Sequence, residues 1–356
     1  MTLLYCGPVR LYYIKSLFFA INLSFLFDLE EDRIKEEIIR RHALRVLVQL
    51  PEGLRSKALH IASIIEETGA SAIISADPCY GACDLALDEA KLLAADMLIH
   101  FGHSERNHFR QQNIPVIYVE AKAAVDVRGI IESYLKELKD WDRIGLATTV
   151  QHVHSIDEVR RALEGAGKKV YVGWEPGLRY PGQVLGCDYR NCKSISNIVD
   201  AFLFLGSGLF HAVGVFLATM KPTIAADPFA GSINRADNLA RLIINRRWMD
   251  IREASEARTW GVIIGLKSGQ QNLEVAFKLK RDLEESSRKV ALLSMREITP
   301  SILRDFADIE AYANTACPRI SLYETKVFQK PILTPKEVYV ALGKIGWEEY
   351  LRSGIL

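Results

Sequence analysis

The stretch "ADPCYGACDLA" sets Cys79 and Cys83 four residues apart, the spacing of half a metal site, in a chain of 356 residues with only six cysteines. The other half must come from elsewhere. Two further cysteines occupy similar turn-like settings far along the chain, Cys187 in "PGQVLGCD" and Cys317 in "ANTACPR". A structural zinc site is normally closed by four ligands, usually in paired CxxC knuckles, and no such pairs exist here; a catalytic zinc site needs three protein ligands and an open position. An iron-sulfur cluster takes four thiolates, so three would leave one iron free to bind a substrate. Cys83, Cys187 and Cys317 are therefore the candidate metal ligands, one from each of three similar segments. Cys6, Cys79 and Cys192 lack that correspondence and read as small buried hydrophobes, although Cys79 shares the loop of Cys83.

Other groups suited to binding lie at predicted strand ends. "QHVH" puts His152 and His154 two apart, on one face if the strand continues. In "GSGLFH", Gly206, Ser207 and Gly208 offer backbone N–H groups to a carboxylate or ribose, or form a simple tight turn, and His211 closes the motif. "KSGQ" places Lys267, Gly269 and Gln270 similarly, with Gln270 the hydrogen-bonding candidate. His100, His103 and His108 read as loop histidines, and Asp227 as the cap of a following helix.

Positioning these residues requires a scaffold, and the chain spells it three times. "RVLVQLPEGL", "RIGLATTVQHVH" and "WGVIIGLKSGQ" are apolar, β-branched strands, each followed by an amphipathic helix and a second strand. After each cysteine an apolar run introduced by proline returns, in "IPVIYVEA", "KPTIAADPF" and "KPILTPKE". Such alternation predicts α/β architecture: three similar domains with parallel sheets covered by helices, arranged around a pseudo-threefold axis. The expected division is residues 31–140 with Cys83, 141–255 with Cys187 and 256–356 with Cys317, after an apolar extension at 1–30. Ligands of such sheets bind beyond the carboxyl ends of the strands, where the cysteine loops would meet.

Net charge +1 gives no electrostatic argument for a nucleic-acid or anionic-membrane partner. With 49% hydrophobic and 25% charged residues the composition is that of a globular protein. Six cysteines are too few for a disulfide scaffold, so reduced thiols and a cytoplasmic setting are expected. The apolar run at 11–27 holds Lys15, lacks an evident cleavage site, and reads as an extra segment rather than a membrane span.

Together "PEGL", "YGACD", "TTVQHVH", "PGQVLGCD", "GSGLFH", "KSGQ", "ACPR" and "KPILTPKE" resemble the archaeal diphthamide-synthesis enzymes of the first pathway step. The resemblance implies an atypical radical S-adenosylmethionine transferase. Its 4Fe-4S cluster would be held by Cys83, Cys187 and Cys317, and its cofactor contacts would fall on His152, His154, Gly206, Ser207, Gly208, His211 and Gln270. It implies a homodimer fed by an electron donor and acting on translation elongation factor 2. The 3-amino-3-carboxypropyl group of S-adenosylmethionine would move to a histidine imidazole, with release of methylthioadenosine. The alternatives are a quinolinate-synthase-like 4Fe-4S enzyme, a non-catalytic cluster-carrying partner subunit, and a structural zinc protein.

Overall fold

The structure, a computed structural model, describes residues 27–105, 114–323 and 327–356, so Cys6, His108 and nearly all of the apolar extension lie outside the described residues. The strand β1 (Phe27–Asp28) opens this part of the chain. The first sheet is built from β2 (Arg45–Gln49), β3 (Ser71–Ser75), β4 (Met97–Phe101) and β5 (Val116–Val119), and β6 (Lys122–Ala123) then closes antiparallel on β1. The second contains β7 (Arg143–Thr148), β8 (Lys169–Val172), β9 (Ala201–Leu205), β10 (Thr223–Asp227) and an antiparallel edge strand, β11 (Ser232–Arg235). The third contains β12 (Thr259–Gly265), β13 (Lys289–Met295), β14 (Ala311–Asn314) and β15 (Ile332–Leu333).

The spatial orders are β3-β2-β4-β5, β11-β10-β9-β7-β8 and β13-β12-β14-β15. Setting aside β11, each sheet places its strands second, first, third, fourth, and all these pairs are parallel. The threefold repetition expected from the strand and helix pattern is thus present in topology.

Central strands are apolar on both faces because helices cover both sides: every residue of β4 ("MLIHF") and β9 ("AFLFL") is buried. Covering helices carry one apolar stripe. In the helix Leu273–Glu285, Ala276, Leu279 and Leu283 recur at spacings of three and four and are buried, while Asn272 caps the first turn by accepting from the Val275 N–H. Between the second and third sheets lies the helix Asp237–Glu256. Its Arg247 is fully buried and donates to both carboxylate oxygens of Glu337, at 2.7 and 2.9 Å, and to the Ile332 carbonyl. That fork ties the long helix to β15 and to the helix Pro335–Ala341. Among the described residues no helix is long and apolar enough to cross a membrane.

Candidate metal centre

A parallel sheet sends its loops alternately to its two edges, and the loops at the carboxyl edges of all three sheets face one cavity of about 460 Å³. Cys83, Cys187 and Cys317 all line it. They do not occupy matched positions, which corrects the expectation that equivalence in the repeat brings them together. Cys83 and Cys187 follow the second strand of their sheets, between β3 and β4 and between β8 and β9, whereas Cys317 follows the third, between β14 and β15. Both kinds of connection leave from a carboxyl edge, so either can reach the same space.

Each loop is held by its own hydrogen bonds. Near Cys83, the Gln49 side-chain amide donates to the Asp84 carbonyl at 2.6 Å. Next to Cys187, Leu185 and Asp188 exchange backbone bonds. Around Cys317, the Asn314 amide donates to the Cys317 carbonyl at 2.7 Å and its oxygen accepts from the Ala316 N–H. Gly186 precedes Cys187 where space is tight, since a Cβ there would lie 3.0 Å from the Phe210 ring and 3.2 Å from Arg319 Cδ.

Bonds between the units close the cavity. Gln151 donates to the Gly102 carbonyl and Gln183 to the Ser104 hydroxyl, each at 2.7 Å, joining second unit to first. Lys267 reaches from the third unit to Asp84 of the first at 2.9 Å and pairs within its own unit with Glu297 at 2.7 Å, and its ammonium stands 4.2 Å from the Tyr80 ring centroid. Burial alone would lower that ammonium, but the two carboxylates outweigh it and raise the pKa. Beside it the Gly269 N–H donates to the Cys83 carbonyl at 2.8 Å. The Gln270 amide reaches Cys83 Sγ at 3.6 Å.

Of the residues singled out from sequence, His211 joins the cysteines on the cavity wall. Burial, with the charge of Arg319 adding to it, lowers its pKa to about 3, so it acts as a neutral imidazole. His152 and His154 do not share a face. The residues Val150–Ser155 form a 3₁₀ helix, in which a step of two residues turns the side chains well apart. His152 is buried edge-on to Phe229 while His154 is exposed, and neither lines the cavity. Gly206, Ser207 and Gly208 stand back from it as well; the Gly208 N–H donates to Asp227 at 3.0 Å. Asp227 caps no helix, since β11 follows it; its other oxygen accepts from the Phe229 and Ala230 N–H groups.

Of the described histidines read as loop residues, His100 is instead fully buried inside β4, whereas His103 does lie in the loop that follows β4, on the cavity wall. Sequence reasoning also missed Phe210 and Arg319, whose guanidinium carbon lies 4.3 Å from the Phe210 ring centroid. Arg319 sits in the quoted "ACPR", and its position two residues after Cys317 was the available signal. Its Nε is buried without a hydrogen-bond partner among the described residues.

Cys83, Cys187 and Cys317, which share the cavity wall with a fourth thiol, Cys79, fit a 4Fe-4S cluster with one open iron: they come from three loops, an amide is aimed at one sulfur, and the remaining room is of the size that holds small molecules. Cys317 is raised by burial, so taking up metal there displaces a thiol proton. Cys192 is fully buried and does not line the cavity.

Comparison with known proteins bears on the same site. A family model described as "Putative diphthamide synthesis protein" matches residues 50–351. The 2-(3-amino-3-carboxypropyl)histidine synthase of Pyrococcus horikoshii is 37% identical over 89% of this chain and 91% of its own. Subunit 1 of the Schizosaccharomyces pombe synthase is 31% identical over 87% and 72%. The crystal structure of Dph2 from Pyrococcus horikoshii with a 4Fe-4S cluster superposes with a TM-score of 0.84, covering 93% of this chain and 95% of that one at 37% identity. A chain matched along most of its length in sequence and in fold, with three cysteine loops opening on one cavity, belongs to the diphthamide-synthesis family.

Proposed function

We propose that this chain is a 3-amino-3-carboxypropyl transferase that acts on a histidine imidazole of translation elongation factor 2. The observation that carries the reading is the single cavity lined by Cys83, Cys187 and Cys317 in a member of this family. In the net reaction the bond from sulfonium sulfur to Cγ of S-adenosylmethionine breaks, the C2–H bond of the imidazole is replaced by a carbon–carbon bond with release of that proton, and methylthioadenosine leaves; the electron spent on cleavage is given back as the ring regains aromaticity, so the sum is redox-neutral.

Cys83, Cys187 and Cys317 hold the cluster as thiolates. When bound, the 4Fe-4S cluster supplies the electron for reductive cleavage and an open iron toward which the methionine part of the substrate is directed. The rest falls to the chain. Gln270 donates an N–H to the Cys83 sulfur and Lys267 clamps the Cys83 loop. Arg319, with no carboxylate partner among the described residues, is the cation available to the substrate carboxylate. The neutral imidazole of His211 offers hydrogen bonding without adding charge. Placing the chosen sulfonium bond toward the iron is a matter of geometry, which these walls set.

The reading extends to a cytoplasmic homodimer served by an electron donor. Leu239, Leu242 and Met249 support a self-association surface, because they are exposed along one face of the helix Asp237–Glu256.

The test is anaerobic incubation of dithionite-reduced, cluster-loaded protein with S-adenosylmethionine and elongation factor 2. Mass analysis should find methylthioadenosine and a factor heavier by one aminocarboxypropyl group on histidine. An intact cluster with no cleavage would overturn the transferase reading in favour of a partner subunit or a hydro-lyase.

A further inference from the structure

Cys79 is not needed by the three-thiolate centre, yet it stands four residues from Cys83 on the wall of the same cavity. Its thiol has other company. The ligand atoms of Cys79, His100 and His103 all lie within 4.8 Å of one another. We propose that Cys79, His100 and His103 form a second metal site, distinct from the cluster, that takes a divalent transition ion of the zinc class.

The argument rests on how His100 is oriented. Gln49 spends its amide N–H on the Asp84 carbonyl at 2.6 Å, and its oxygen accepts from the Ala86 N–H, which fixes the amide the right way round. That oxygen lies 2.8 Å from His100 Nδ1, so Nδ1 carries the proton and Nε2 is left with a free lone pair. A ligating histidine is normally prepared in this way, its second nitrogen held by an acceptor behind it.

His100 Nε2 points at His103 Nδ1 across 3.0 Å. Two nitrogens bound to one tetrahedral zinc stand about 3.3 Å apart, from Zn–N lengths of about 2.0–2.1 Å, so the pair needs to open by only a few tenths of an ångström. In the metal-free state the His103 Nδ1 proton fills the gap between the rings. On binding it moves to His103 Nε2, and the Cys79 thiol gives up one proton, so each ion bound releases one proton.

Cys79 and His103 both line the cavity, so the ion's fourth position opens onto it. Asp84 faces Cys79 and Arg319 faces His103, so the flanking charges oppose each other. One thiolate with two imidazoles suits zinc and its borderline neighbours, whereas magnesium and calcium prefer oxygen. Such a site also explains a CxxxC pair that does not supply a fourth cluster cysteine: Cys79 belongs to the histidines.

The experiment uses the cluster-loaded protein, equilibrated anaerobically with zinc against a chromophoric chelator, then desalted and assayed for zinc and iron. His100 is fully buried and its replacement invites misfolding, so the variants are Cys79→Ser and His103→Ala, with Cys192→Ser as control. The expected result is about one zinc per chain with iron unchanged, and affinity reduced roughly tenfold or more in both variants but not in the control. Absence of zinc uptake, uptake unaffected by both substitutions, or uptake matched by loss of iron would each overturn the second site.

Discussion

At the residue scale, Cys83, Cys187 and Cys317 could be singled out because thiols at turn-like positions have few uses in a chain with too few cysteines for a disulfide framework. The binding residues around them carried a weaker signal. Gln270 was singled out as a hydrogen-bonding candidate for a ligand, and its amide lies 3.6 Å from Cys83 Sγ. An N–H donated to a cluster sulfur stabilises the more negative, reduced state. Gln270→Ala should therefore lower the cluster's reduction potential while leaving the iron content intact, as read in an EPR-monitored redox titration; an unchanged potential would remove Gln270 from that role. His152 makes a different prediction, because it packs away from the cavity. Burial lowers its pKa from 6.5 to about 4, so the unfolded chain takes up the proton first. Stability from this group is therefore present above pH 6.5 and is lost as pH falls toward 4, by up to roughly 3 kcal/mol. In urea titrations across that window, His152→Gln should flatten the pH dependence of unfolding by about one proton, and an equal slope would contradict the assignment.

At the element scale, strand and helix periodicities announced three α/β repeats, since alternation of apolar strands with amphipathic helices survives in any one sequence. What the pattern misjudged was local. "TTVQHVH" reads as strand through its β-branched residues, yet the chain leaves β7 at Thr148 and coils into a 3₁₀ helix at Val150. Cys317 was assigned a matched place because proline-led runs follow all three cysteines, and the intervening third strand could be counted only in the folded sheet. One close approach between elements was invisible in sequence. Gly214, in the buried helix Phe210–Thr219, faces Tyr189, so that a Cβ there would lie 1.9 Å from the phenol oxygen. Tyr189 stands two residues from Cys187 and is itself buried. Gly214→Ala should cost about 1–3 kcal/mol by overpacking and reduce the iron bound per chain, since relief requires moving the Cys187 loop. Calorimetry and iron analysis check both parts; wild-type values in each would contradict the packing account.

At the scale of the whole molecule, the decisive feature is convergence. No sheet alone offers thiols from more than one loop, and only the assembly, closed by Gln151, Gln183 and Lys267 between units, brings Cys83, Cys187 and Cys317 to one cavity. That assembly could be inferred from sequence as an economical packing of repeats, but the cross-unit bonds depend on side chains far apart in the chain and carry no local signal. The exposed face of Leu239, Leu242 and Met249 bears on the larger assembly. If two copies meet there, Leu242→Asp should yield monomers in sedimentation velocity while cluster absorbance persists, and unchanged sedimentation would place the contact elsewhere. The central claim is that one cysteine from each sheet holds the cluster, and the most direct measurement is anaerobic iron content and charge-transfer absorbance across single alanine substitutions. Cys83→Ala, Cys187→Ala and Cys317→Ala should each lose or greatly deplete the cluster, with Cys192→Ala indistinguishable from the parent. A Cys187→Ala protein that kept full cluster absorbance and full turnover would contradict the three-sheet centre.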